Sequence, residues 1–340
     1  MAYTMLVSGA GDGTVRRWDP ESCGSVGEPL AGHPAEVYTV AAVPMSDGQT
    51  LVASGGEGGI VQVWDPAGGV RVGRAINTRH RTATRRPGAV SNLLAFSAPS
   101  NGTMLATNAC DPVVRFWDPA TGLPVRQHLH HLTLQHDADV DCLGTAPLPD
   151  GRSVFAVVTD DAIMRIWDLA TDVRRPTSAL VATGHTAGVN AMVAVPLPGG
   201  LIGLATASGD ATVRLWNPAT GQQIGNMPIN AADPIYAMTV VPLSAGRFLL
   251  ATAGEGAVVR LWEPATGELV GTPMPIGHIG SVLCIAAIPR QDGRVLLATG
   301  GADATIRLWD LMSNSPFGTP MIGHTDEVYA IAAVSVPHVR

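Results

Sequence analysis

Apolar residues come in short runs broken by Gly, Pro and Asp, as in VYTVAAV at 37–43, RVLLATGG at 294–301 and TIRLW at 305–309. No stretch keeps a helical period, so each run predicts a β-strand. The runs are rich in Val, Leu and Ala rather than cleanly alternating, which is the pattern of sheets covered on both faces. No run approaches the roughly 18 consecutive apolar residues of a spanning helix, so no membrane association is expected.

The strands recur as a unit. An outer strand and a turn lead to an inner strand, a second strand, a tight turn and a third strand ending in Trp. The 7 Trp stand at 18, 64, 117, 167, 216, 262 and 309, so successive spacings are 46, 53, 50, 49, 46 and 47 residues, one Trp per unit. A single four-stranded sheet cannot bury two apolar faces, whereas a ring of them can. GHTDEVYAIAAV at 323–334 opens like GHPAEVYTVAAV at 32–43 and GHTAGVNAMVAV at 184–195, yet no second and third strand follow it. MLVSGAGDGTVRRWD at 5–19 is a second and third strand with no inner strand before it, and 25–32 supplies an outer one. The expected closing blade therefore joins about 3–32 to 323–336, leaving no open edge, within a single domain over 1–340.

Gly-His at 32–33, 184–185, 277–278 and 323–324, with Trp-Asp at 18–19, 64–65, 117–118, 167–168 and 309–310, resembles the WD40 family. Trp216-Asn217 and Trp262-Glu263 occupy the same slot, and a DPATG-like turn follows at 118–122, 217–221 and 263–267. Pro presets φ there and Gly supplies φ > 0. The resemblance covers essentially the whole chain and is closest to the bacterial form of the repeat. It implies an all-β, seven-bladed β-propeller of four-stranded antiparallel blades, closed by the C-terminal inner strand.

Ten residues before Trp stands a hydroxyl in most units, and six before it an Asp. With the Gly-His histidines these give His185/Thr206/Asp210/Trp216, His278/Thr299/Asp303/Trp309 and, across the closure, His324/Ser8/Asp12/Trp18. Ser/His/Asp sets raise a catalytic reading. Threefold recurrence argues instead for groups that satisfy each other, and the resemblance implies a buried hydrogen-bond network. No catalytic residue is assigned. Gly58 and Gly256 replace the Asp, Val157 the hydroxyl, and Arg86 and Ala231 the His, so those units are expected to be weaker. Arg recurs two before Trp at 16, 115, 165, 214, 260 and 307, with Gln62 the exception, which reads as a packing or salt-bridge rule.

Three registers near the inner strands carry the candidate binding residues. Five after the His, or its equivalent, come Tyr38, Tyr236, Tyr329, Asp141 and Asn190; two earlier come Glu36, Glu327 and Asp139; just before the Asp turn come Glu57 and Asp160. The resemblance implies that these line the channel mouth, where peptides dock. Tyr combines apolar area with a hydroxyl, and the carboxylates call for an Arg- or Lys-rich protein or peptide segment. Solubility charge with partly packed Tyr is the bland alternative.

Composition changes the picture only at the margins. All 21 basic residues are Arg, and the net charge of −7 argues against nucleic acid. The four Cys form no CxxC, so neither a disulfide framework nor zinc is expected. The segment at 70–86 contains Arg71, Arg74, Arg79, Arg81, Arg85 and Arg86 without aromatics, as an anion site or a flap. The segment at 125–141 gathers His128, His130, His131 and His136, with no known metal-ligand spacing. The N-terminus lacks a basic region and long apolar segment, so a cytoplasmic protein is expected. The functional expectation is a non-enzymatic scaffold or sensor without cofactor, free-standing or a module of a larger protein. The alternative is an enzyme using the channel and Tyr/Asp acid-base groups.

Overall fold

The computed structural model describes residues 2–78, 88–98, 102–109, 113–125, 131–133, 139–169, 180–290 and 292–337. The first strands are β1 (Ala2–Ala10), β2 (Val15–Asp19) and β3 (Gly24–Ser25). Then come β4 (Val37–Pro44), β5 (Thr50–Gly56), β6 (Ile60–Asp65) and β7 (Val70–Asn77), followed by β8 (Asn92–Ala98), β9 (Gly102–Asn108), β10 (Val113–Trp117) and β11 (His131–Thr133). The next are β12 (Val140–Pro147), β13 (Ser153–Thr159), β14 (Ile163–Asp168) and β15 (Val181–Ala182), then β16 (Val189–Pro196), β17 (Ile202–Ser208), β18 (Thr212–Trp216) and β19 (Gln223–Asn230). Last come β20 (Ile235–Pro242), β21 (Phe248–Gly254), β22 (Val258–Trp262), β23 (Met274–Pro275), β24 (Val282–Pro289), β25 (Val295–Gly301), β26 (Thr305–Asp310), β27 (Ser315–Ile322) and β28 (Val328–Pro337).

These strands make seven four-stranded antiparallel sheets, each in sequence order except the closing one, which runs β28-β1-β2-β3. The fold is a seven-bladed β-propeller. Closure is a long antiparallel pairing from Ala2↔Pro337 to Ala10↔Val328, so the edge of β1 is covered by a strand from the far end of the chain. Only two single-turn 3-10 segments interrupt the β structure among the described residues. The chain divides into two compact units, Met1–Asp137 with Asp303–Arg307 and Gly318–Arg340, and Ala138–Ala302 with Leu308–Phe317.

Apolar runs without alternation make sense once the packing is seen. All seven residues of β25 are buried, because both faces of the strand are covered. Trp64, Trp117, Trp216, Trp262 and Trp309 pack on the preceding sheet: Trp64 joins Met5, Val7 and Val15, Trp216 joins Val154, Ala156 and Val158, and Trp262 joins Val195, Ala205 and Val213. An indole so placed removes on the order of 200 Å² from water, worth about 5 kcal/mol before entropy is counted. These indoles therefore work as pegs between neighbouring sheets.

The turn after each Trp follows from its residues. Asp118 Oδ1 accepts the Ala120 N–H at 2.8 Å, Asn217 Oδ1 accepts the Ala219 N–H at 2.9 Å, and the closing Gly sits at φ 69° in Gly122, 71° in Gly221 and 74° in Gly267. An Asx turn followed by a left-handed residue takes the side-chain acceptor first and favours Gly last, though Cys23 and Asn314 hold that place at φ 56° and 49° after Trp18 and Trp309.

Candidate functional site

The residues read as Ser/His/Asp sets form directed chains of hydrogen bonds. In the closing sheet Trp18 Nε1 donates to Ser8 Oγ at 2.8 Å, Ser8 Oγ lies 2.7 Å from His324 Nε2, and His324 Nδ1 lies 2.9 Å from Asp12 Oδ2. In the sheet of β16–β19 Trp216 donates to Thr206 at 3.0 Å, Thr206 lies 2.9 Å from His185 Nε2, and His185 Nδ1 lies 3.1 Å from Asp210 Oδ2. Trp309 and His278 both meet Thr299 Oγ1, at 3.4 and 2.9 Å, while Asp303 accepts from Thr305. Ser8, Thr206 and Thr299 are fully buried, and each receives the indole N–H while bonded to the imidazole. A nucleophile needs an exposed, activated oxygen, and these three hydroxyls face no solvent.

Burial lowers the imidazole pKa of His185 and His324 despite their carboxylate partners. Burial also pushes Asp210 up, but hydrogen bonds from Thr212 and the Thr186 N–H outweigh it and bring the carboxyl down to about 2. Where the set is incomplete the orphan is visible: His33 Nε2 meets Ser54 Oγ at 2.8 Å, but Gly58 replaces the Asp and His33 Nδ1 has no partner. Elsewhere other groups take over. Arg260 pairs with Asp233 at 2.7 Å, beside Gly256, and Arg165 donates to Thr159 at 2.7 Å where Val157 stands for the hydroxyl. Asp111, Arg86, His128, His130, His136, Arg79, Arg81 and Arg85 lie outside the described residues.

Two of the three candidate binding registers, that of Glu36, Asp139 and Glu327 and that of Glu57 and Asp160, are joined by a repeated backbone bond. Gly11 N–H donates to Glu327 O, Glu57 to Glu36, Asp160 to Asp139, Gly209 to Gly188, Glu255 to Pro234 and Ala302 to Ser281, at 2.9 to 3.1 Å. This bond sets the start of an inner strand beside the turn between the second and third strands, so acidic residues from distant positions become neighbours.

In the first unit that brings Glu36 beside Glu57. The Tyr38 hydroxyl donates to Glu36, and the Tyr38 and Tyr329 rings meet at 5.4 Å with planes tilted by 58°. The hydrogen bond to Glu36, then burial, hold the Tyr38 phenol protonated far above its usual range; burial and the charge of Glu327 push Tyr329 up to about 12. In the second unit Asp139 lies beside Asp160. Asp141 accepts the Val189 N–H at 3.0 Å, and burial, with the charges of Asp160 and Asp139, raises its carboxyl pKa. Asn190 donates to the Ile235 carbonyl at 2.8 Å, next to half-buried Tyr236. Chemically, the first cluster offers protonated phenols beside carboxylate acceptors and the second offers carboxylates with one tyrosine ring, surfaces suited to cations and N–H donors.

Sequence reasoning missed a second device. Arg152 pairs with Asp168, Arg247 with Glu263 at 3.6 Å and Arg294 with Asp310 at 3.3 Å, so an Arg before the second strand holds the acidic residue that follows Trp. Its signal is the recurring Gly-Arg at 151–152, 246–247 and 293–294. Among the described residues no three His, Cys, Asp or Glu side chains are grouped to hold a metal, and no helix is long and apolar enough to cross a membrane.

Three stretches, 24–65, 177–217 and 267–310, match the family model described as WD domain, G-beta repeat. Similar curated proteins include the Nuclear distribution protein PAC1 of Arthroderma otae and those of Arthroderma benhamiae and Trichophyton verrucosum, each 31% identical over 184 residues. The aligned part is 54% of this chain and 37% of the relative's length. These relatives are fungal and lend nothing to the bacterial reading of the repeat. The chain is a seven-bladed β-propeller in which three stretches match the WD repeat.

Proposed function

We propose that the protein is a non-enzymatic binding module that holds an Arg- or Lys-rich segment of a partner protein. The residues bearing this role are Tyr38, Tyr329, Glu36, Glu57 and Glu327 in the first unit, and Asp139, Asp141, Asp160, Asn190 and Tyr236 in the second. The observation that carries the reading is that Glu36 and Glu57, joined by a backbone bond, both act on the Tyr38 phenol, whose ring meets that of Tyr329. Carboxylates beside tyrosine faces suit guanidinium and ammonium groups by ion pairing and cation–π attraction. Repeats of the WD type and relatives named for nuclear distribution rather than for a reaction support a role in assembly. A cytoplasmic place of action belongs to the same proposal.

The test is affinity capture from source-cell lysate with the native protein and a Tyr38/Tyr236/Tyr329→Ala variant. A protein retained by the first, lost from the second and released by salt is expected. Equal retention by both would refute the site. The raised carboxyl of Asp141 favours one rival, acid-base catalysis on a small molecule; turnover of a retained metabolite that disappears in Asp141→Asn would establish that rival instead.

A further inference from the structure

The end of β18 remote from the Asp210 turn borders a cavity of about 210 Å³, lined by Val213, Leu215, Ile224, Ile229 and the Pro264–Gly267 turn. The closing sheet contains the same place, position for position. Val15 pairs with Leu30 as Val213 pairs with Ile229, and Trp18 with Ser25 as Trp216 with Gln223. Gly27 and Gly225 both take φ > 0, and the Asp65–Gly69 turn stands where Glu263–Gly267 stands. On the third strand the difference is Arg17 in the closing sheet, Leu215 here; in the facing turn Thr266 and Glu268 stand where Gly68 and Val70 stand.

Arg17 is the only charged residue among those preceding the seven Trp, the others being Val63, Phe116, Ile166, Leu215, Leu261 and Leu308. It is 8% exposed, and its Nη1 donates to the carbonyls of Pro66 at 3.0 Å and Ala67 at 3.3 Å. Among the described residues no carboxylate pairs with it; the turn's carbonyls hold the guanidinium through Nη1, while its buried Nε has no partner. In the Leu215 place the corresponding carbonyls of Pro264 and Ala265 accept no hydrogen bond among the described residues, and the turn is bracketed by Glu263 and Glu268.

We propose that this cavity is a binding site for the arginine side chain of a partner polypeptide, its guanidinium bonded to the Pro264 and Ala265 carbonyls as that of Arg17 is to Pro66 and Ala67. The aliphatic stem lies along Leu215, Ile224 and Ile229, and Glu268 favours the cation's approach, Glu263 being already paired with Arg247. The chain carries its own example of the complex. This site is separate from the Tyr and carboxylate registers and stands or falls without them.

The test titrates the full chain with N-acetyl-arginine methylamide while methyl resonances of Leu215, Ile224 and Ile229 are followed. Saturable shifts are expected with this probe and not with N-acetyl-norleucine methylamide. They are expected to vanish in Leu215→Arg, which supplies the group from within, and in Leu215→Phe, an aromatic that Phe116 shows the register to accept. Arg17→Leu should open a second site and double the stoichiometry, which remains informative should a plugged variant not fold. The Tyr38/Tyr236/Tyr329→Ala variant should titrate as the native chain does, which separates this site from the one proposed above. Absence of saturable shifts, equal response to norleucine, or shifts surviving in folded Leu215→Arg would overturn the proposal.

Discussion

Acidifying the protein from pH 7 to pH 4 tests the hydrogen-bond network at its broken link, His33. Burial lowers this imidazole from its ordinary 6.5 to about 4, and no carboxylate offsets the effect because Gly58 stands where Asp12 and Asp210 stand in complete sets. A folded pKa below the unfolded one means that the folded state resists protonation. The stabilising contribution is therefore whole above pH 6.5 and is lost as pH falls towards 4. A shift of 2.5 units at about 1.36 kcal/mol each, less the half-protonation remaining at the folded pKa, gives a loss of about 3 kcal/mol. His33→Gln removes the titration and leaves Ser54 Oγ its bond from Trp64. Urea unfolding of both proteins at pH 7 and pH 4 reads the difference directly. At pH 7 the native protein should be the more stable by about 1–3 kcal/mol, the cost of a lost buried bond. By pH 4 that gap should close or invert. Parallel stability profiles across the window would refute the account of an uncompensated imidazole.

Removing 323–340 takes away β28 and its buried Val328, Val334 and Val336, and exposes the edge of β1; unfolding should be easier by about 5 kcal/mol or more across the whole transition. An unchanged melting curve would contradict the closure's role. Gly267→Ala forces a side chain to φ 74° and brings its Cβ to 3.2 Å from Ile229, so a loss of about 1–2 kcal/mol in urea unfolding is expected. Arg294→Ala should leave urea unfolding almost unchanged, since its pairs with Asp292 and Asp310 are formed by a half-exposed side chain. A larger loss by the same assay would mean that the Gly-Arg clamp matters more than exposure suggests.

The repeat was legible because its signals are local: one Trp per unit, a Pro-to-Gly turn after it, and runs too apolar for a one-sided sheet. The closing sheet could also be read, since β1 and β2 lack an inner strand and the motif at 323–334 lacks its successors. Pairings between residues outside the repeat's fixed offsets were harder to see. Asp233 serves Arg260 from the position two beyond the missing His, which no single unit announces. The match of Arg17 with Leu215 needed strand register, because the two outer segments differ in length before Leu30 and Ile229. Among the binding candidates, shared registers suggested neighbours, while the Tyr38 bond to Glu36 and the contact with Tyr329 depend on side-chain directions that a sequence does not specify.

The central claim is that carboxylates beside paired tyrosines select basic partner segments. A peptide array of varied charge, probed with the native chain and with Glu36→Gln/Glu57→Gln, measures that selection most directly. The account predicts that native protein retains Arg- or Lys-rich peptides, that added salt releases them, and that the double variant loses most of them while remaining folded. Retention of uncharged or acidic peptides, or an unchanged pattern in the variant, would contradict it.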